Sequence, residues 1–188
     1  MLAGGRSERF GADKLVAPYR GSPLVHHAIG HLSAVCDDVV VVLAPGREGT
    51  GLPPGVRIVH DSSEGDGPLA GLHAGMMAAI RSERVVVAGG DMPELSAPVL
   101  TEMLKVLDES GADAVALRDG DRPRPLPMAL RTWPAADAVH TLLHAGRRRL
   151  RDVLDALPTA VIDEATWTSL DPDRGTLVDV DTPEDLPS

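Results

Sequence analysis

A pair of adjacent glycines, Gly4 and Gly5, and three cationic side chains, Arg6, Arg9 and Lys14, crowd the opening stretch MLAGGRSERFGADK. Glycines let a backbone turn tightly and bring its N–H groups against an anion, arginine forks onto phosphate oxygens, and lysine adds a point charge. A polyphosphate is the guest that such a loop suits. It is neither of two familiar phosphate loops. Lys14 follows Asp13 and precedes Leu15, so there is no G-x-x-x-x-G-K-[ST], and no G-x-G-x-x-G occurs. A solvated turn would use the same residue types, so the companions of the loop decide between the two.

One companion is VVVAGGDMP, where Asp91 follows an apolar run and two glycines. A carboxylate there is well placed to hold Mg2+, which favours carboxylate and phosphate oxygens. Its competing role, capping a helix that begins near Ser96, is disfavoured by the long gap and by Pro93. A second companion is LVDVDTPEDL. Read as a strand, it sets Val178 and Val180 on one face and Asp179 and Asp181 on the other, which makes the two aspartates further candidate ligands. Asp181-Thr182-Pro183-Glu184 reads equally as a helix cap with proline opening the first turn.

These groups need a scaffold. DDVVVVLAP, VRIVHD, ERVVVAGGD, ADAVALR and LVDVD read as strands, and their near-continuous valine content suits strands covered on both faces, as in a parallel sheet. Helical spacing recurs in Leu24, Val25, Ala28, Ile29 and Leu32, in Leu69, Leu72, Met76 and Ile80, and in Val99, Leu100, Met103, Leu104 and Leu107. Met77 is assigned to the second, core-facing helix. Alternation of the two kinds of element predicts an α/β fold with a mostly parallel central sheet. RPRPLPMAL reads as a loop running into a strand, because its prolines would interrupt a helix. In such sheets ligands bind beyond the carboxyl ends of the strands, where this sequence sets Asp61, Asp91 and Asp181.

At 188 residues with 43% hydrophobic content, one domain over residues 1–188 is expected. A net charge of −10 argues against nucleic-acid backbones and anionic membranes as partners. With no signal-peptide pattern and no long apolar run, the expectation is a soluble, cytoplasmic protein. A lone cysteine, Cys36, builds no disulfide framework and reads as a packing residue. His27 with His31 and His140 with His144 share the spacing of a zinc pair but lack an adjacent Glu or Cys, so they read as helix-surface residues. Trp133 and Trp167 read as structural. An acceptor anion has two candidate seats: the helix entrance with Gly65, Gly67 and Gly71 around Pro68, and the cluster Arg147, Arg148, Arg149 and Arg151, which reads equally as a charged helix face over Leu150 and Leu154. Arg122 and Arg124 share that ambiguity.

Taken in order, LAGGRSERFGADK, HDSSEGDGPLAGL, GGDMP, HAGRRRLRDVL and VDVDTPEDL resemble the molybdenum cofactor guanylyltransferase (MobA-like) family of nucleotidyltransferases over nearly the whole chain. The resemblance implies a Rossmann-like, GT-A-like three-layer domain, GTP and Mg2+ as ligands, and transfer of GMP to molybdenum-bound molybdopterin with release of pyrophosphate. It also leaves room for transient contacts with other proteins of molybdenum cofactor biosynthesis. Residue by residue, it implies backbone contacts to the nucleotide from Leu2, Ala3 and Gly4, phosphate contact from Lys14, nucleotide contact from Asp61, and nucleotide and Mg2+ contact from Asp91. Gly5 separates the loop from the L-A-A-G form that resembles cytidylyltransferases, which favours GTP over CTP. Lys14, Asp91 and Arg9 are the candidate catalytic groups, and Gly67, Gly71 and Arg148 the candidate acceptor-phosphate groups. The family's apolar first strand is matched here by Met1 and Leu2 alone, so the expectation is either a misassigned or shortened start or a missing central strand, whose loss would loosen the phosphate loop. Another nucleotidyltransferase, specific for CTP or a sugar phosphate, a non-catalytic nucleotide-binding module and a scaffold protein remain as alternatives.

Overall fold

The computed structural model describes residues 1–4, 13–61 and 67–187. A 3-10 turn, Lys14–Val16, leads into a small hairpin of β1 (Pro18–Tyr19) and β2 (Ser22–Pro23), followed by α1 (Leu24–Ser33), β3 (Val40–Leu43) and β4 (Arg57–His60). Then come α2 (Pro68–Ala78), β5 (Arg84–Val87), α3 (Ala97–Ser110), β6 (Ala114–Asp119) and β7 (Arg122–Arg131). The remainder is α4 (Thr132–His144), α5 (Arg151–Ala156), β8 (Thr159–Ile162) and α6 (Glu164–Leu170), then two 3-10 turns, Gly175–Leu177 and Pro183–Asp185. The fold is α/β, and no helix among the described residues is long and apolar enough to cross a membrane.

β3 and β4 pair in parallel, and a second sheet runs in the order β5-β7-β6-β8. β7 is antiparallel to both its neighbours, while β6 and β8 are parallel, so the sheet is mixed. The two sheets are joined by the first residues of the chain: Leu2 forms parallel bridges to Val42 and to Gly89. Helical periodicity is read out faithfully where one stripe faces the core. Leu24, Val25, Ala28, Ile29 and Leu32 of α1 are all buried, as are Val99, Leu100, Met103 and Leu107 of α3. Gly111, in the left-handed conformation at φ 71°, ends α3 as a C-terminal glycine does.

Several expectations need correction. LVDVD is not a strand: Val178 is exposed and Val180 buried, because the segment makes a 3-10 turn and then tucks Val180 against Tyr19 and Leu24. RPRPLPMAL belongs to strand β7 along its whole length. Its prolines are tolerated because they precede Met128, where pairing with β5 begins, and because the pairing with β6 shifts register between Ala116 and Arg118. Ile80 lies beyond the end of α2, and Met77 on that helix is exposed. β8 and α6 carry no clear period, and α4 shows itself in the sequence only through the helical spacing of His140 and His144; Trp167 of α6 is buried and donates its indole N–H to the Arg118 carbonyl at 2.8 Å.

The expected missing strand is present over three residues. Met1–Ala3 lies between β3 and β5, with Leu2 N donating to Ala88 O at 2.8 Å and Ala3 N to Val42 O at 2.8 Å. Beyond Met1 a half-open cleft of about 710 Å3 lies beside the two strands, lined by Leu72 and Met76 of α2, by Leu32, Val35 and Leu104, and by the ion-paired Asp38, Arg57, Arg84 and Asp108. An extended segment placed there would meet the apolar side chains of Leu32, Val35, Leu72, Met76 and Leu104 as well as those charged pairs. Extending the chain before Met1 by about four apolar residues should therefore raise the melting temperature, at roughly 2–4 °C per kcal/mol gained in a protein of this size. Thermal denaturation of the two forms checks this, and an unchanged midpoint would contradict it.

Candidate active site

β4, β3, the Met1–Ala3 segment and β5 point the same way, so their carboxyl ends share one edge of the sheet. His60-Asp61, Leu43-Ala44, Gly4 and Gly89-Gly90-Asp91 follow those ends in spatial order. This edge is where an open α/β sheet receives ligands.

Lys14 is aimed by its neighbours. Asp13 caps the 3-10 turn by accepting from Leu15 N at 3.1 Å, and the buried Leu15 packs toward Gly90, where a Cβ would lie 3.1 Å from Leu15 Cδ2. With Leu15 turned inward, the Lys14 ammonium crosses the crevice. Its Nζ donates to Asp91 Oδ2 at 2.7 Å, to the Val180 carbonyl at 3.2 Å and to Asp181 Oδ1 at 3.4 Å. The lysine side chain is 14% exposed and the Asp91 side chain 28%, so the pair is only partly screened by water.

Asp91 owes its orientation to the glycine two residues earlier. A Cβ at Gly89 would fall 2.2 Å from Asp91 Oδ1, so any side chain there would push the carboxylate away. Gly89 N also donates to Met92 Sδ at 3.3 Å, and Met92 is fully buried. The loop is pinned to the C-terminal segment by Val180 N donating to Asp91 O at 2.9 Å.

That segment brings two more carboxylates. Asp179 accepts from Arg124 Nη2 at 3.2 Å, and burial first, then the nearby Asp91 carboxylate, push its carboxyl above the usual range. Asp181 contributes Oδ1 to Lys14, while its backbone N donates to Asp185 Oδ2 at 2.9 Å. Thr182 is the N-cap of the last 3-10 turn, with Asp185 reaching back to Thr182 N at 2.8 Å. The cap role therefore belongs to Thr182 and Asp185, and the Asp181 side chain faces the lysine.

On the other flank, Asp61 N donates to Leu43 O at 2.9 Å, and a Cβ on Gly71 would lie 3.7 Å from Asp61 Oδ2 and 3.8 Å from Leu2 Cδ2. Leu2, Asp61 and Gly71 are thus neighbours. Gly67 has φ 77°, a region that favours glycine, and a Cβ there would fall 3.1 Å from Arg148 O. Arg148 is brought to the α2 entrance by its backbone; its guanidinium Nη1 donates to the Arg147 carbonyl at 2.9 Å and the Leu143 carbonyl at 3.4 Å. Arg147 pairs with Asp152 through two N–H groups, which gives it the role of a helix-face residue. Leu150 and Leu154 are buried beneath the cluster. Gly5 and Arg9 lie outside the described residues, as does Gly65.

Lys14, Asp91, Asp179 and Asp181 are therefore brought together from three distant stretches, with Leu2, Ala3, Gly4 and Asp61 on the adjacent strand ends. Two contacts gave no signal in the sequence. Arg124 reaches Asp179 across 55 positions, and Tyr19 donates its hydroxyl to Glu94 at 2.7 Å across 75. Neither pair belongs to a local pattern that spacing could reveal.

The MobA-like NTP transferase domain family matches residues 1–161. A probable molybdenum cofactor guanylyltransferase of Mycobacterium tuberculosis H37Rv is 34% identical over 182 residues, covering 93% of this chain and 89% of the relative. A relative of the same name from Mycobacterium avium is 34% identical over 161 residues, covering 83% and 79%. Among solved structures, molybdopterin-guanine dinucleotide biosynthesis protein A from Archaeoglobus fulgidus superposes with a TM-score of 0.79 at 24% identity, covering 98% of this chain and 92% of that one. The fold, the strand-end edge and the sequence match agree: the chain belongs to the MobA-like NTP transferase family.

Proposed function

We propose that this chain is a molybdenum cofactor guanylyltransferase that transfers GMP from GTP to molybdopterin and releases pyrophosphate. The observation that carries this proposal is the 2.7 Å approach of the Lys14 ammonium to Asp91 Oδ2 at the edge where Leu2, Ala3 and Gly4 end their segment. A cation and a carboxylate held face to face there are what a Mg2+–triphosphate needs: one group for phosphate oxygens, one for the metal. The relatives named for guanylyl transfer support the choice of nucleotide. Gly5 in the L-A-G-G loop supports it as well. We further infer one continuous domain over residues 1–188, in which the Met1–Ala3 segment makes the two sheets one layer between helices.

The carboxylates fit Mg2+. Among the described residues no group of three or more His, Cys, Asp or Glu side chains is close enough to form an all-protein cage. Mg2+ does not ask for one, since it is usually held by one or two carboxylates together with substrate phosphates. Asp91, with Asp179 and Asp181 beside it, supplies hard oxygen donors and an excess of negative charge around Lys14. When bound, the ion would neutralise charge on the triphosphate and on the leaving pyrophosphate.

The chain's own groups do the rest. The backbone of Leu2, Ala3 and Gly4 lies against the nucleotide while the Leu2 and Ala3 N–H groups stay in the ladder to Ala88 and Val42, Lys14 turns from Asp91 to its phosphates, and Asp61 orients it from the neighbouring strand. An oxygen of the acceptor phosphate attacks the α-phosphorus in line; the new O–P bond forms as the bond from the α-phosphorus to the bridging oxygen breaks, and pyrophosphate leaves with that electron pair. No protein nucleophile is required. Arg9 adds charge to the phosphates, and Gly67 and Gly71 shape the entrance of α2, where the Arg148 carbonyl already accepts from Leu69 N at 3.4 Å and so offers an anion no seat of its own.

Lys14→Ala and Asp91→Ala should each lower turnover on the order of 10²- to 10³-fold while leaving the fold intact. Steady-state rates of pyrophosphate release check this, and parent-like rates would contradict either role. Incubation with molybdopterin and GTP or CTP, with Mg2+ or with a chelator, should give a dinucleotide from GTP alone and only when Mg2+ is present. Product from CTP instead would identify a cytidylyltransferase, and GTP binding without product a nucleotide-binding module.

A further inference from the structure

The hairpin that follows Lys14 is tied to the Asp91 loop a second time, away from the ligand edge. The Tyr19 hydroxyl donates to Glu94 Oε1 at 2.7 Å, and Arg20 Nη1 lies 2.9 Å from the same oxygen. Tyr19 is 5% exposed, whereas the Arg20 side chain is 61% exposed. The part-buried tyrosine bond is therefore the stronger tie and the arginine pair is screened by solvent. His27 fixes Tyr19 from the other side, its ring edge-on at 5.2 Å and its Nε2 2.7 Å from the Tyr19 carbonyl. Glu94 has little freedom either. Gly175 backs it so closely that a Cβ there would fall 2.8 Å from Glu94 Cβ, and the flanking Met92 and Leu95 are buried. Burial and the bond to Glu94 push the phenol up to about 12, so it remains a donor at any physiological pH.

Two loops thus carry two ties each: Lys14 to Asp91, and five residues on in one loop and three in the other, Tyr19 to Glu94. On the roles given above, a bound nucleotide draws Lys14 and Asp91 toward it and loosens the first tie, whereas Tyr19 and Glu94 have no part in those roles.

We propose that Tyr19 and Glu94 are positioning residues that keep the Lys14 hairpin in register with the Asp91 loop while Lys14 is engaged with phosphate. This rests on the roles given above to Lys14 and Asp91. A displacement of about 1 Å at a reacting group costs on the order of 10²-fold in rate, so a tie that prevents such slippage has a kinetic signature.

The test is a double-mutant cycle on the full chain, following dinucleotide formation from GTP, Mg2+ and molybdopterin in single turnovers, with kcat and KM for GTP resolved where turnover permits. Tyr19→Phe, which keeps the packed ring, should lower kcat roughly 10-fold or more with a smaller change in KM, and Glu94→Ala should do the same. Glu94→Gln, which retains an acceptor oxygen, should recover most of the rate lost in Glu94→Ala. In a Lys14→Ala background, Tyr19→Phe should cost less than about two-fold more, because the group it positions is gone. Equal losses in both backgrounds, or a folded Tyr19→Phe with parent-like kcat, would overturn the inference. Parent-like turnover of Lys14→Ala alone would remove the site assignment beneath it, a result distinguishable from the first two because it needs no change at Tyr19.

Discussion

Four backbone hydrogen bonds around Leu2 hold the site together: Leu2 N to Ala88 O, Ala3 N to Val42 O, Val42 N to Met1 O and Gly90 N to Leu2 O. They pull β3 and β5 to either side of one short extended segment. Without them the strand ends that carry Gly4, Ala44 and Asp91 would have no fixed spacing, and the two sheets would share helices but no ladder. The bonds are buried, and an unpaired backbone group there would cost about 1–3 kcal/mol, so the arrangement is specific despite its brevity. Gly90 enters because its N–H completes the ladder and because its missing side chain admits Ala3 and Leu15.

On that frame the charges are set against one another. Lys14 faces Asp91 and Asp181, and Asp179 is held by Arg124 behind them. Among the described residues three carboxylates meet two cations there, Lys14 and Arg124. The C-terminal segment takes part through Val180, whose N–H and C=O bond to Asp91 and Lys14 respectively. Residues separated by more than 160 positions therefore share one small volume, and the folding of the last turn is coupled to the geometry of the first loop.

How much of this the sequence discloses depends on whether the cause is local. Valine runs and the helical stripes of α1 and α3 disclose themselves, because burial on a sheet or a helix face imposes a short period. Lys14 and Asp91 stand out in the sequence as charged residues near glycines, and the structure sets their charged atoms 2.7 Å apart across 77 positions. β7 was misjudged as partly loop: proline removes a ladder donor, but a register shift in the partner strand lets the chain stay extended. LVDVD was misjudged as a strand for the opposite reason, alternation without a partner; Val180 alone finds a pocket, beside Tyr19 and Leu24. The ties between Tyr19 and Glu94 and between Arg124 and Asp179 exist only in three dimensions and leave no trace in spacing.

The central claim is that Lys14 and Asp91 serve a single nucleotide from opposite sides of the crevice. A crystal structure of the chain with GTP and Mg2+ tests it most directly. The account predicts Lys14 Nζ within hydrogen-bond distance of a phosphate oxygen and an Asp91 oxygen on the metal bound to that same triphosphate. A nucleotide seated elsewhere, with the Lys14–Asp91 ion pair intact, would contradict it.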